Sequence, residues 1–230
     1  MWTRHVRYAN DRVFGRVFLE IHTLGTPSWR NVEVDPQMSI WSLHYPTCVN
    51  GALHWIGFNS LQMSILCFNL ENERFQSFPS PPQVFRNDRI IDEIADKRIN
   101  MGELRGFLYI CDSSSFFDVT TWVMKMHGLG ESWTKVYSID TSASPLGIPA
   151  YPCSGFCWPV KQFEESACIL FYDSCNCLIY YEPEKHGFKV FRIHGAQSKL
   201  VEVIRHIPNL ISLKDAVKGD NVEVLNIYSR

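Results

Sequence analysis

The sequence lacks the features that would direct a protein to a membrane, the secretory route or nucleic acid. No apolar run in its 230 residues approaches the roughly 18 residues of a membrane span, and residues 1–7 lack the apolar core of a secretory signal. No Asn-x-Ser/Thr glycosylation acceptor occurs, and the net charge is only −2, without the basic excess that phosphate backbones attract. We expect a protein of the cytosol or nucleus, with neither membrane nor nucleic acid as a partner.

Catalytic motifs are missing as well. The chain has no Gly-x-Ser-x-Gly nucleophile turn and no Gly-x-x-x-x-Gly-Lys-Ser/Thr phosphate loop. Gly128 and Gly130 begin a glycine pattern, but Trp133 stands where a dinucleotide loop needs its third glycine. No convergent pair of carboxylates can be identified, and His54, inside an apolar strand, is interpreted as a structural histidine. We expect no catalytic residue and no cofactor.

The cysteines do not form a recognisable metal motif. The eight cysteines include no Cys-x-x-Cys pair, and the closest spacings are Cys153 with Cys157 and Cys175 with Cys177. A zinc site needs four converging ligands, which these two pairs could supply only together. The preferred interpretation is buried or free thiols in a reducing compartment, where cysteine behaves as a small hydrophobic residue. No metal is expected.

What the sequence does contain is a repeated pattern of strands. An alternating apolar strand, a polar or glycine-containing turn and an aromatic residue that opens the next strand recur at residues 17–30, 64–75, 121–134 and, more loosely, 177–188. The aromatic residues at the pivots are Trp29, Phe75, Trp133 and Phe188. A period of roughly 50 residues with several strands in each unit is typical of propeller blades. We expect the aromatic pivots to be buried where neighbouring sheets stack.

Local signals complete the predicted fold. Asn50-Gly51 is the strongest short hairpin signal, and an apolar strand follows it. Residues 88–98 depart from the strand pattern and fit either one short helix or, as we prefer, a loop with a helical turn. No connection is long or polar enough to be an interdomain linker. We predict one all-β domain over residues 1–230, a partial or open propeller of about four to five antiparallel blades whose first and last units close poorly.

Several motifs resemble those of a known family, the plant F-box-associated interaction domains. Residues 49–55 resemble its v-N-G-x-x-H-W strand, and residues 65–79 its F-D-L-x-x-E-x-F-x-x-x-P continuation. Residues 102–108 and 121–135 are similar to its L-x-G-x-L strand and its W-v-M segment ending in e-S-W-t-k. The motifs occur in the expected order, and the resemblance covers roughly residues 16–215.

The resemblance implies a fold and a role. It implies a kelch-like propeller that captures a protein target for a cullin-RING ubiquitin ligase of the SCF type. Members of this family usually begin with an F-box, a helical segment containing Leu-Pro that docks the ligase adaptor, but the present sequence contains no Leu-Pro dipeptide. We therefore expect target binding from this chain, and adaptor binding only if an F-box is supplied elsewhere.

Aromatic residues in the connections are the candidates for contact with the target. Loops on a rigid scaffold commonly carry binding residues, and exposed aromatic side chains are typical anchors of interfaces. The candidates are Trp41, His44, Tyr45, Phe116, Phe117, Tyr151 and Trp158. The alternative for these residues is packing over the ends of the propeller. The alternatives for the whole chain are a propeller enzyme, a carbohydrate-binding protein, or a truncated fragment without an independent function.

Overall fold

The fold consists of antiparallel sheets. A computed structural model describes residues 4–11, 16–23, 27–34, 46–59, 62–82, 99–113, 118–140, 157–162, 168–172, 177–185 and 187–193. These residues form fifteen strands in four sheets, together with short 3-10 turns at Gly130–Ser132 and Pro183–Lys185. In this part of the chain no helix has the length and apolar character needed to span a membrane. The segment 88–98, for which a loop or a short helix was predicted, lies outside the described residues.

In each sheet, every strand pairs with the strand that follows it in the chain. The first sheet contains β1 (Arg4–Asp11), β2 (Arg16–Thr23) and β3 (Trp29–Glu33). The second contains β4 (Thr47–Val49), β5 (Ala52–Asn59), β6 (Gln62–Asn69) and β7 (Arg74–Pro79). The third contains β8 (Ile99–Leu104), β9 (Phe107–Asp112), β10 (Asp118–Met124) and β11 (Trp133–Asp140). The fourth contains β12 (Cys157–Gln162), β13 (Cys168–Tyr172), β14 (Cys177–Glu182) and β15 (Gly187–Arg192).

The structure adds one strand to the predicted unit. In the second sheet, the apolar strand predicted after Asn50-Gly51 is β5, and the repeat at residues 64–75 covers β6 and the start of β7. A further strand, β4, precedes them and adjoins β8 of the next sheet, where the Thr47 hydroxyl donates a hydrogen bond to the Met101 carbonyl oxygen at 3.2 Å. β4 has only three residues, too few to show a period-two pattern in the sequence.

Two tight hairpins open the second and third sheets in the same way. Asn50 and Gly51 have φ values of 49° and 74° between β4 and β5, and Arg105 and Gly106 have 53° and 84° between β8 and β9. A two-residue turn with both residues at positive φ matches the right-handed twist of the strands that it joins. The predicted Asn50-Gly51 turn is confirmed. The second turn was harder to recognise because arginine, unlike asparagine or glycine, rarely adopts positive φ.

The second and third sheets each bury both of their faces. Along β9, Leu108 and Ile110 belong to the core shared with the second sheet, whereas Tyr109 and Cys111 belong to the core shared with the fourth. Successive side chains of a strand point to opposite faces, so one strand contributes to two different cores. This explains why β9 reads in the sequence as a continuous apolar run.

Three clusters of buried residues join the four sheets in chain order. The seam between the first and second sheets contains Leu19, Ile21, Val34, Trp55, Leu66, Phe68 and Leu70. The seam between the second and third contains Val49, Ala52, Met63, Ile65, Cys67, Phe78, Leu108, Ile110, Trp122, Met124 and Trp133. The seam between the third and fourth contains Leu104, Tyr109, Cys111, Val119, Val123, Tyr137, Ile139, Leu170, Cys177, Ile179 and Tyr181. The predicted face-to-face stacking of small sheets is thus confirmed.

The aromatic pivots differ in burial. Trp133 is only 7% exposed and lies in the seam between the second and third sheets, as predicted. Phe75 is half-buried, and its ring centroid lies 4.8 Å from that of Phe68. The prediction is wrong for Trp29, which is 42% exposed on β3 and stacks on His22 with centroids 5.1 Å apart. β3 is an outer strand of the described first sheet, and its residues 29–31 are exposed.

Two features of the predicted fold lie beyond the described residues. The side chain of the fourth pivot, Phe188, is not among them, although its backbone pairs with Tyr181 in the fourth sheet as the repeat requires. Residues 194–230, which follow the fourth sheet, are also outside the described part. Poor closure between the first and last units therefore stays a prediction.

Candidate functional site

The seam between the second and third sheets brings together two histidines and a cysteine. His54 on β5 and Cys67 on β6 are directly opposite one another across the antiparallel pair. His127 comes from the loop between β10 and β11 of the next sheet. The potential ligand atoms of these three residues all lie within 4.8 Å of one another. We call these three residues the His-Cys cluster.

Hydrogen bonds fix the tautomer of His54. Its Nδ1 lies 3.1 Å from the carbonyl oxygen of Thr47, and its Nε2 lies 2.8 Å from Nε2 of His127. A carbonyl oxygen can only accept, so Nδ1 carries the proton of the neutral His54 ring. The Nε2 atom of His54 then has a free lone pair and accepts the proton that His127 Nε2 donates. His54 is fully buried with both ring nitrogens bonded, which confirms its interpretation as a structural histidine.

Burial keeps the His-Cys cluster neutral. It lowers the pKa of His54 to about 4, and the nearby His127 ring lowers it further, against the effect of the Thr47 carbonyl. Partial burial of the His127 ring lowers its pKa, and burial raises the pKa of the Cys67 thiol to about 11. At neutral pH both imidazoles are therefore uncharged and the thiol keeps its proton. Burial of Cys67 and Cys111 also confirms the role predicted for the cysteines within apolar strands.

The loop that carries His127 is held by its own hydrogen bonds and by the second sheet. The Ser132 hydroxyl oxygen accepts from the Met126 amide at 3.0 Å and lies 2.6 Å from the Leu129 carbonyl oxygen. Gly130 packs so closely on Pro79 that an added Cβ would lie 2.3 Å from the proline Cγ. These contacts fix the loop against β7, and thereby place His127 beside His54.

Apolar side chains are exposed on the same loop. Met126 is 62% exposed, and Leu129 is also exposed. Nearby in the third sheet, the Lys125 ammonium lies 5.0 Å from the centre of the exposed Phe107 ring. Neither the loop nor the His-Cys cluster was predicted from the sequence to be functional. The one signal available was the hairpin register, which pairs His54 with Cys67; nothing local in the sequence connects His127 to them.

Comparison with known proteins identifies the family. The sequence model of the F-box associated beta propeller domain matches residues 3–213. The chain belongs to this family. F-box protein At3g07870 of Arabidopsis thaliana is 26% identical over 180 residues, which are 73% of the chain and 41% of that protein. The chain thus matches less than half of the length of this relative.

The family assignment confirms the resemblance seen in the motifs and identifies the structural role of the sheets. The four sheets are propeller blades, so the predicted all-β propeller fold is confirmed. Family and relative together indicate a protein-interaction role. The likeness to kelch propellers in particular stays a prediction.

The structure describes one of the predicted contact residues. Trp158 lies in β12, opposite Phe171, and is half-buried, so it belongs to a strand of the fourth blade and not to a loop as expected. Its role in binding a target stays a prediction. The other candidates lie outside the described residues: Trp41, His44, Tyr45, Phe116, Phe117 and Tyr151.

The strands that flank those candidates can nevertheless be placed. The segment 35–45 connects β3 to β4, residues 114–117 connect β9 to β10, and residues 141–156 connect β11 to β12. In the second and third blades, these attachment points are at the ends of the strands opposite the Asn50-Gly51 and Arg105-Gly106 turns. All three connections therefore attach at corresponding ends of their blades.

Proposed function

We propose that this propeller domain recognises a protein target for an SCF-type ubiquitin ligase and catalyses no reaction itself. The observation that carries the proposal is the family match, which covers residues 3–213 and so includes all four blades. The domain would hold the target through aromatic side chains in the loops at one end of the blades. The proposed location is the cytosol or nucleus.

The scaffold supports this mode of binding. Blades that are buried on both faces hold their strand ends at fixed positions, so loops attached to those ends start from a rigid base. The connections at 35–45, 114–117 and 141–156 attach at corresponding ends of the blades. They carry six of the seven aromatic and histidine candidates, and can therefore act on one target together.

The chemistry of the His-Cys cluster supports a role in structure and not in catalysis. His54 and Cys67 are almost completely buried, so a substrate has no access to the thiol from the solvent. A reactive cysteine needs a lowered pKa, whereas burial raises the pKa of the Cys67 thiol to about 11. The thiol is therefore protonated at neutral pH and a poor nucleophile.

Capture of the target tests the proposal. The chain would be expressed in plant tissue with a proximity-labelling tag, and the labelled proteins would be compared between the wild type, Trp41→Ala and Phe117→Ala. Trp29→Ala is the matched control, because Trp29 is exposed beside the β2–β3 turn, at the other end of its sheet. We expect a specific set of proteins that the loop variants lose and the control keeps.

Two results would contradict the proposal. If the loop variants unfold, the loop aromatics pack over the blades and do not serve as contacts. If both remain folded and label the same proteins as the wild type, the target binds elsewhere. A separate pull-down with the ligase adaptor tests whether adaptor binding requires an F-box. We expect no binding from residues 1–230 unless an F-box is fused to them.

A further inference from the structure

We propose that the His-Cys cluster is a zinc site that joins the second and third blades. His54 and His127 would each bind Zn²⁺ through Nε2, and Cys67 would bind it through Sγ. A water molecule or a side chain from a binding partner would take the fourth position. The inference concerns the seam between two blades and does not depend on the function proposed above.

The composition of the cluster fits zinc. Imidazole nitrogen and thiolate sulfur are the ligands that structural zinc sites use, whereas magnesium and calcium prefer oxygen. Two of the three ligands, His54 and Cys67, come from neighbouring strands and face each other across the hairpin. The third, His127, comes from the adjacent blade, so a bound ion would tie the two blades together.

The distances require only a small rearrangement. Two nitrogens that bind one tetrahedral zinc at about 2.05 Å lie about 3.3 Å apart. The Nε2 atoms of His54 and His127 are 2.8 Å apart, so they must separate by roughly half an ångström. His127 can make this movement because its side chain is exposed on a loop, while His54 stays in place within β5. The thiol lies within 4.8 Å of both nitrogens and must move closer.

His54 already has the outer contact that a zinc-binding histidine uses. Such a histidine normally donates its second ring N–H to a carbonyl or carboxylate, which orients the ring and fixes its tautomer. Nδ1 of His54 lies 3.1 Å from the Thr47 carbonyl oxygen, and the Thr47 hydroxyl is in turn bonded to Met101 of the third blade. The lone pair of Nε2 is consequently directed towards His127, and a metal bound there would replace the hydrogen bond from His127.

Binding changes the protons of the cluster in two places. Zinc binds neutral imidazole and thiolate, so Cys67 must lose its proton, and the proton of His127 must move from Nε2 to Nδ1, when the ion enters. The displaced proton goes to the solvent, and a thiolate–zinc bond replaces the S–H bond. The ring of Phe78, which belongs to the core between the two blades, has its centroid 6.1 Å from that of His54 and 6.3 Å from that of His127. Such an apolar neighbour strengthens the attraction between the ion and its thiolate.

Metal titration of the whole purified chain tests the proposal. Under reducing conditions, Zn²⁺ would be titrated against a chromophoric chelator, and Co²⁺ would be added separately as a spectroscopic probe. We expect one equivalent of zinc, with a thiolate-to-cobalt charge-transfer band and tetrahedral visible bands in the cobalt form. His127→Gln should weaken zinc binding by at least about 100-fold, because loss of an outer contact alone costs 10–100-fold.

Cysteine and histidine controls separate this site from others. Cys67→Ser should abolish the charge-transfer band, whereas Cys48→Ser and His22→Gln, which alter residues outside the cluster, should leave zinc affinity unchanged. If Cys67→Ser fails to fold, His127→Gln still decides, because it changes an exposed loop residue. Absence of zinc binding would overturn the proposal, as would binding that His127→Gln does not weaken. The latter result would place the metal outside the His-Cys cluster.

Discussion

The indole Nε1 of Trp133 donates a hydrogen bond of 3.0 Å to the backbone carbonyl oxygen of Pro79. The bond crosses from the third blade to the last residue of β7 in the second. The indole ring is also part of the apolar seam between the two blades. A single side chain therefore joins the blades by a polar contact and by burial.

Truncation of Trp133 should destabilise the domain much more than truncation of Trp29. Removing a buried tryptophan typically costs about 3–5 kcal/mol, and Trp133→Ala also leaves the Pro79 carbonyl without its indole donor. Trp29→Ala should change the free energy of unfolding by less than about 1 kcal/mol, because this ring is 42% exposed. Urea denaturation of both variants measures the difference, and equal losses would refute the assignment of Trp133 to the seam.

Alanine at Gly130 should disturb the loop that carries His127. The new Cβ would lie 2.3 Å from Cγ of Pro79, so either the loop or the proline must move, at a cost of about 1–3 kcal/mol. Gly106→Ala is the matched control, since no atom lies within 4 Å of its Cβ and only its φ of 84° opposes the change. Hydrogen exchange of the 125–132 amides should rise in Gly130→Ala and stay unchanged in Gly106→Ala.

The stability of the domain should fall as the pH drops from about 6.5 to about 4. Burial gives His54 a pKa of about 4 in the folded chain, against 6.5 for an unperturbed histidine. Above pH 6.5 the ring is neutral in both states, so its contribution to stability is fully present. Below that pH the His54 ring binds a proton in the unfolded chain but stays neutral in the folded chain. The free energy of unfolding therefore falls, by at most about 3 kcal/mol.

Denaturation at several pH values can assign this loss. The free energy of unfolding of the wild type should decline more steeply below pH 6.5 than that of His54→Gln, which has no proton to bind at this position. His127→Gln should reduce the slope as well, because burial lowers the pKa of His127 in the same direction. Parallel curves for wild type and His54→Gln would show that His54 does not cause the acid sensitivity.

The side chain of Asn69 should be needed for the β6–β7 turn. Its Oδ1 accepts hydrogen bonds from the amides of Glu71 at 2.8 Å and Asn72 at 3.1 Å. Asn69→Ala removes both bonds and should cost about 1 kcal/mol, since the turn is exposed and water replaces part of the loss. Asn69→Asp keeps an acceptor oxygen and should be nearly neutral. Thermal unfolding of the two variants checks this, and equal destabilisation would mean that the side-chain amide has another role.

Local signals predicted the parts of the fold that depend on nearby residues. The Asn50-Gly51 turn was identified because its backbone conformation requires residues that tolerate positive φ. β6 was recognisable as a strand from its run of apolar residues, which are buried on both faces because the two faces pack against different blades. The pivots show the limit of such signals. Trp29 and Trp133 occupy the same place in the repeat, but within the part of the chain that the structure describes only Trp133 is covered by a neighbouring blade.

The His-Cys cluster was invisible for a related reason. His54 and Cys67 could have been paired from the hairpin register, which depends on a turn only a few residues away. His127 is 73 positions from His54, and its approach depends on how the 125–132 loop docks against Pro79. That contact produces no periodic pattern of residues in the sequence. The candidate loops present the opposite case. Their aromatic residues could be identified from the sequence, whereas only the strands of the structure show where each loop begins and ends.

The division of β9 between two cores has a consequence for how such proteins change over time. Leu108 and Ile110 must fit one neighbour while Tyr109 and Cys111 fit another, so excision of an interior blade would bring two unmatched surfaces into contact. If the array is open, as predicted, loss or gain of a terminal unit requires only one surface to adapt. Related proteins should therefore differ in the number of blades at the ends of the array and keep the order of the interior blades.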